Sequence, residues 1–148
     1  MGPTAAPSAR TGAYALPLPA GWVDRTPLTL VGPPAADGSA ANVVVTSELL
    51  CDNLGLGGFA NAQAALIAQH ADEFEVVSTE HGTLGGERAL VRTTRWRIGD
   101  EAITQLAAYC VHGDHGVALV CSAPADAFAD VEQVFQELVA GFRFEDEA

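Results

Sequence analysis

The spacing of hydrophobic residues changes along the chain and divides it into strands and helices. Short apolar runs between Gly- and Pro-rich stretches predict three early strands, at Tyr14–Leu18, Leu28–Val31 and Asn42–Ser47. Apolar residues then recur every three or four positions over Phe59–Ala71, which predicts a helix. A second helix is predicted after Pro124, with Asp126 as its N-cap and Gly141 at its end.

Four consecutive strands are predicted between the two helices. They are Phe74–Leu84, Glu87–Ile98, Glu101–His112 and His115–Ser122. The linkers are Gly85-Gly86, Gly99-Asp100 and Gly113-Asp114. Each linker begins with Gly, as a two-residue type II′ hairpin turn requires. Such turns fix the register, so Trp96 should lie opposite Ile103 and Thr94 opposite Gln105.

These elements predict an α+β fold with a curled antiparallel sheet, a C-terminal four-strand meander and two main helices. The chain has 148 residues, of which 49% are hydrophobic and 18% charged, enough to bury the core of one domain. We place that single domain at 14–144. Residues 1–13 are predicted to be a flexible Pro/Ala leader and 145–148 an acidic tail.

The charge of the chain argues against some classes of partner. Nineteen acidic residues against seven basic ones give a net charge of −12, which repels nucleic acid and anionic lipid. The apolar runs are too short to cross a bilayer, so we expect no direct membrane insertion. Residues 1–13 lack the apolar core of a signal peptide. The sequence as given is therefore expected to be cytoplasmic, or in the cell envelope if a signal peptide has been removed.

No group of residues meets the requirements of a catalytic or metal centre. The four His residues have no obvious nucleophile partner, and the Leu54–Gly58 loop lacks the spacing and the Lys of a phosphate-binding loop. Cys110, His112 and His115 are close in sequence, but no second cluster completes a zinc site. Cys110 and Cys121 should lie about 13 Å apart on one face, so both are predicted to be free thiols. We expect no catalytic residues, no metal and no cofactor.

One face of the meander combines polar side chains with aromatic and apolar ones. Its members are Thr79, Arg92, Thr94, Trp96, Ile103, Gln105 and Tyr109. Because Trp, Tyr and Arg dominate binding hot spots, this face is the candidate partner-binding site. Ala107 and Ala118 would let a partner helix approach closely, while Arg92 and Gln105 capped its carbonyls. The same residues also suit ordinary amphipathic strands. The register predicts Val77 on this face and Val76 on the other.

The order of the elements and several short motifs resemble the DcrB-like family. The motifs are Leu16–Asp24, Leu84–Ala89, Trp96, Gln105 and Gly141–Phe144, and the resemblance covers about Tyr14–Phe144. It implies a PsbP-like α/β/α sandwich and a non-enzymatic function. Relatives include cytoplasmic chaperones that bind apolar transmembrane segments of type VI secretion effectors, typically as dimers. LpqN-type envelope lipoproteins are similar over the same span.

Two functions are left open by the sequence. The first is a chaperone or adaptor that shields an apolar or helical segment of a secreted or membrane-associated protein, with a homodimer as an option. The second is the mature domain of an exported LpqN-like lipoprotein that binds a small ligand or a surface protein. An enzyme would need a site that the sequence does not show.

Overall fold

The computed structural model describes residues 8–11, 14–17, 19–22, 27–50 and 54–144. The strands are β1 Ser8–Thr11, β2 Tyr14–Pro17, β3 Leu28–Val31, β4 Asn42–Leu49, β5 Asp72–Leu84, β6 Glu87–Ile98, β7 Glu101–His112 and β8 His115–Pro124. The helices are α1 Leu56–Ala68 and α2 Phe128–Gly141. None of the helices in these ranges is long and apolar enough to cross a membrane.

Strands β3 to β8 form one antiparallel sheet in the order β3-β4-β8-β7-β6-β5, while β1 pairs with β2 separately. The turns set the register of the meander as expected, with Trp96 opposite Ile103 and Thr94 opposite Gln105. The predicted α+β fold, with its curled antiparallel sheet and two main helices, is confirmed.

The two helices cover opposite faces of the sheet. Phe128 and Phe135 of α2 pack into a core with Leu106, Leu119 and Cys121. The α1 face has its own core, which consists of Phe59, Ala60, Ala107, Tyr109 and Ala118. Because neighbouring residues of a strand point to opposite sides, β7 and β8 supply both cores and are the most buried strands.

The three hairpin turns are of two kinds. Gly99 and Gly113 have φ of +59° and +62°, and the Asp that follows each has a negative φ, which agrees with the predicted type II′ turn. Gly85 and Gly86 both have positive φ, +61° and +85°, as in a type I′ turn. The predicted type was wrong there, because two adjacent glycines permit either turn.

Helix α1 begins at Leu56, three residues before the predicted start, and ends at Ala68. Gly58, which we assigned to a loop, lies in its first turn. A Cβ on Gly58 would come within 2.6 Å of Leu54 Cδ1. The glycine therefore makes room for Leu54 to fold against the helix.

Helix α2 begins at Phe128, and the prediction of Asp126 as its N-cap was wrong. Ala127 occupies that position without a side-chain cap. The Ala127 N–H donates to the Pro124 carbonyl at 2.9 Å, so a backbone turn leads into the helix. Asp126 lies within that turn.

Strand β5 pairs irregularly with β6. Val76 lies opposite Thr94 and Ser78 opposite Thr93, with a register shift between the two pairs. The shift inserts Val77 as an extra residue, a β-bulge. Because facing residues project to the same side of a sheet, Val76 shares the face of Thr94, and its predicted placement on the other face was wrong.

Part of the predicted leader forms a strand, since Ser8–Thr11 pairs with Tyr14–Pro17. Residues 1–7 and 12–13, the acidic tail 145–148 and Cys51 lie outside the described residues. Cys110 and Cys121 are buried free thiols, as predicted. Phe142 and Phe144 pack against the α2-side core after the end of α2.

Candidate binding face of the sheet

Helix α1 rests on the small residues of the candidate face. Phe59 meets Tyr109 edge to face, with ring centroids 5.9 Å apart and an interplanar angle of 88°. Ala60 packs with Ala107 and Ala118, and all three are almost fully buried. Ala107 and Ala118 were expected to admit a partner's helix, and in the structure they admit the chain's own helix α1.

Arg92 joins two strands to this helix. Its Nε donates to Thr79 Oγ1 at 3.2 Å, and its Nη1 donates to Asn61 Oδ1 at 3.3 Å and to the Ala60 carbonyl at 3.5 Å. The guanidinium thus contacts a backbone carbonyl of α1, the kind of contact expected with a partner helix. Burial raises the pKa of Tyr109, and the charge of Arg92 opposes that shift.

A row of polar side chains crosses the same face two residues further along the strands. Thr94, Gln105, Ser122 and Asn42 are successive neighbours on β6, β7, β8 and β4. Gln105 Nε2 donates to Ser122 Oγ at 3.1 Å. Val76 and Val31 lie at the two ends of the row, and their side chains are 43% and 69% exposed.

Three buried polar atoms in and beside this row are unsatisfied. Thr94 and Gln105 are only 3% and 5% exposed. Thr94 Oγ1, Gln105 Oε1 and Trp96 Nε1 have no hydrogen-bond partner within the part of the chain that the structure describes. A buried polar group without a partner costs about 1–3 kcal/mol, and folded proteins contain few of them. Together the three offer an acceptor, an N–H donor and a hydroxyl that can do both.

The structure places all seven predicted residues on one face but divides them into two groups. Thr79, Arg92 and Tyr109 lie at α1. The other four lie around the polar row; they are Thr94, Trp96, Ile103 and Gln105. Partner binding by these residues remains a prediction.

Sequence reasoning missed Ser122 and Asn42. The position of Ser122 opposite Gln105 follows from the Gly113-Asp114 turn, so the same register rule could have found it. Asn42 joins the row only because β4 pairs with β8, a contact between distant parts of the chain that no local signal indicates.

Near the last hairpin, the cysteine is buried and each histidine lies beside a carboxylate. Burial, with a smaller effect from Glu87, raises the pKa of Cys110 to about 11. His112 Nδ1 lies 2.7 Å from Glu87 Oε2, and its ring stacks on Phe144 at 3.8 Å between centroids. His115 Nδ1 lies 2.8 Å from Asp114 Oδ1. No group of three or more His, Cys, Asp or Glu residues in the described ranges is arranged to hold a metal ion.

Comparisons with known proteins agree with this architecture. The chain matches the family model described as DcrB over residues 15–141, and it has no match among curated protein sequences. PA94 from Pseudomonas aeruginosa, a protein of unknown function, has a similar solved structure with a TM-score of 0.76 and 10% identity, over 95% of this chain and 98% of that one.

Two further solved structures are similar at lower scores. LpqN, involved in cell envelope biogenesis of Mycobacterium tuberculosis, has a TM-score of 0.60 at 13% identity, over 84% of this chain and 79% of that one. The cyanobacterial PsbP of Synechocystis sp. PCC 6803 has a TM-score of 0.52 at 15% identity, over 80% of this chain and 81% of that one. The implied PsbP-like fold is therefore confirmed.

Proposed function

The chain belongs to the DcrB family, and from this premise we propose that it is a non-enzymatic chaperone or adaptor that shields an apolar or helical segment of a secreted or membrane-associated protein. The observation that supports the proposal is the group of unsatisfied atoms on Thr94, Trp96 and Gln105. A fold that keeps such atoms buried bears a cost in stability. The three atoms are covered in the unbound chain, so a bound segment would relieve this cost when their side chains turn outward to meet it.

The chemistry of this site suits the backbone at the end of an apolar segment. The last carbonyls of a helix have no partner within the helix, and the Trp96 indole N–H can donate to one of them. Gln105 Oε1 can accept from a backbone N–H. The exposed Val76 and Val31 at the ends of the row offer apolar contacts to the rest of the segment.

A small ligand, as in the LpqN-like alternative, fits this face less well. The cavity beside the row has a volume of about 220 Å³ and is lined by Ser39, Ala40, Asn42, Glu101, Ile103, Ser122, Ala123 and Pro124. Ligand pockets are usually about 300–1,000 Å³ in volume. A protein segment that lies across the row is therefore the better occupant.

We place this function at the cell envelope or on the route to it. LpqN, which has the same fold, is involved in cell envelope biogenesis. The net charge of −12 disfavours binding to anionic lipid, so contact with a membrane-associated partner would be made through protein.

The test removes the unsatisfied atoms while the volume of the side chains is kept. Thr94→Val should raise the melting temperature, because it removes a buried polar atom without a partner. Gln105→Met removes the unsatisfied oxygen but also the bond to Ser122 Oγ, so its melting temperature should change little. The same changes should weaken binding of a labelled helical peptide of about twenty Leu and Ala residues with Lys at both ends. We expect about a tenfold loss of affinity by fluorescence anisotropy, the factor given by one lost hydrogen bond of average strength.

Thr93→Val is the matched control, because Thr93 lies next in the chain and lines a cavity on the α2 side of the sheet. It should leave the affinity unchanged. Unchanged binding in the Thr94→Val and Gln105→Met variants, or an equal loss in Thr93→Val, would contradict the proposal.

A further inference from the structure

Strand β3 forms one edge of the six-stranded sheet and is unusually apolar for an edge. Its sequence is Leu28-Thr29-Leu30-Val31, and it carries no charge. Leu28, Leu30 and Val31 are 59%, 47% and 69% exposed. Exposed edge strands offer unpaired backbone groups to other chains, and proteins usually protect them with charges or bulges.

Within the described part of the chain, the backbone of β3 leaves two residues free to pair outward. The Gly32 N–H donates to the Ala41 carbonyl at 2.8 Å, which makes this pair a hydrogen-bonded one. Hydrogen-bonded and non-hydrogen-bonded pairs alternate in an antiparallel ladder. Leu30 is therefore hydrogen-bonded through its backbone to Val43 on β4. The N–H and C=O groups of Thr29 and Val31 therefore point to the open edge.

An apolar groove lies beside this edge on the α2 side. Its volume is about 470 Å³, and it runs between β3, the 32–41 loop and α2. Leu30, Val43, Val134 and Leu138 are among its lining residues. Val134 is 51% exposed, so the groove is open to a side chain that arrives from outside.

Among the described residues, the charges around the groove are all of one sign. Asp130 lines it, and Asp37 and Asp126 lie in the segments that border it. Segments 27–50 and 124–141 contain no Arg, Lys or His. A second copy of this chain would bring two acidic rims together, whereas a segment with basic residues would be attracted.

We propose that β3 binds an extended apolar segment of a partner protein with Lys or Arg at its ends. The segment pairs antiparallel with β3 as an added strand, through the backbone of Thr29 and Val31, and alternate side chains enter the groove. This site adjoins the polar row at Val31, and it recognises an extended segment instead of a helix.

The test uses a labelled nine-residue peptide with Lys at both ends and alternating Val and Thr between them. Thr29→Pro removes the outward N–H without touching the bonds to β4, a position where an edge strand tolerates Pro. Thr29→Ala retains that N–H and is the control. We expect Thr29→Pro to weaken binding about tenfold and Thr29→Ala to leave it unchanged, by fluorescence anisotropy on variants whose circular dichroism matches wild type.

A second pair of variants tests the groove. Val134→Arg should weaken binding, while Gln133→Arg, the same charge change at the preceding residue of α2, which does not line the groove, should affect it far less. A peptide with Glu in place of Lys should bind more weakly. Equal binding by Thr29→Pro, or by the Glu peptide, would overturn the proposal. A homodimer that dissociates in Thr29→Pro on analytical ultracentrifugation would also overturn it, because β3 would then bind a second copy.

Discussion

The two edges of the sheet differ in how they are protected against pairing. At one edge, β5 has two register shifts and a left-handed residue, Glu73, with φ of +55°. It also carries Glu75 and Glu80, which are exposed. At the other edge, β3 pairs with β4 in continuous register and has neither a charge nor a bulge. Its length of four residues is what limits pairing there.

This difference indicates what each edge does. Bulges and charges prevent a long strand from accepting another chain, and β5, with 13 residues, would otherwise be the more dangerous template. The edge at β3 lies beside an apolar groove and has no such devices. The sheet is thus closed to association at β5 and open at β3. Thr29→Pro tests the β3 edge, and variants of β5 and of the central strands test the rest of the comparison.

The largest effect is expected at the turn that ends β5. Gly85 has φ of +61°, and a Cβ there would lie 2.6 Å from two ring atoms of Phe144. Gly85→Ala should therefore lower the free energy of unfolding by about 3 kcal/mol, through backbone strain and overpacking together. Urea denaturation measures the change.

Gly86→Ala is the control for this variant. Gly86 also has a positive φ, +85°, but a Cβ added there would have no neighbour within 4 Å among the described residues. Only strain remains, so the cost should be about 1–2 kcal/mol. Equal costs at the two positions would show that Phe144 does not hold the β5–β6 turn.

The β5 side of the sheet was easier to predict than the β3 side, for a physical reason. Two-residue turns place Thr94 opposite Gln105 by counting alone, whereas β4 meets β8 across a long loop closure that no local pattern specifies. Residue spacing predicted the helix α1 but not the face it covers. The sequence therefore could not predict that Arg92 donates hydrogen bonds to α1, or that a groove lies beside β3, because both depend on contacts between distant parts of the chain.

The second prediction concerns the strands between the edges. Burial raises the pKa of Cys121 on β8 to about 12 and, with Glu87, that of Cys110 on β7 to about 11, from an ordinary 9.0. The fold favours the neutral thiols, so their contribution to the free energy of unfolding is fully present below about pH 9. Stability should then fall as the pH rises towards 11 and 12, because the unfolded chain ionises first. Tyr109, whose pKa is also raised, adds in the same direction.

Urea denaturation at pH 8, 9, 10 and 11 in a Cys51→Ser background measures this loss. The same background lets iodoacetamide report on the two remaining thiols, which should react slowly at pH 8 compared with a urea-unfolded sample. A midpoint that stays constant up to pH 11, or fast alkylation of the native protein, would show that the central strands open as readily as the edges.

A third, smaller effect concerns the charges that protect β5. Glu75→Gln with Glu80→Gln should change the free energy of unfolding by no more than about 0.5 kcal/mol, because both residues are exposed. Static light scattering should nevertheless show more association with rising concentration, since the edge has lost its charges. Glu101→Gln with Glu137→Gln changes the net charge equally away from that edge, and association in both pairs alike would point to net charge alone.

The smallest effect is expected at the start of β5, where Glu73 meets Arg97. Glu73 Oε2 lies 3.5 Å from Arg97 Nε, and the two side chains are 74% and 41% exposed. Exposed pairs contribute little, so Glu73→Ala should cost less than about 0.5 kcal/mol by urea denaturation. Glu73→Gly removes the same ion pair, but glycine adopts the left-handed φ without strain. This relief should offset the greater conformational freedom of glycine in the unfolded chain, so Glu73→Gly should be at least as stable as Glu73→Ala. A cost above about 1 kcal/mol for Glu73→Ala would mean that this ion pair, instead of the irregular backbone, keeps the β5 edge in place.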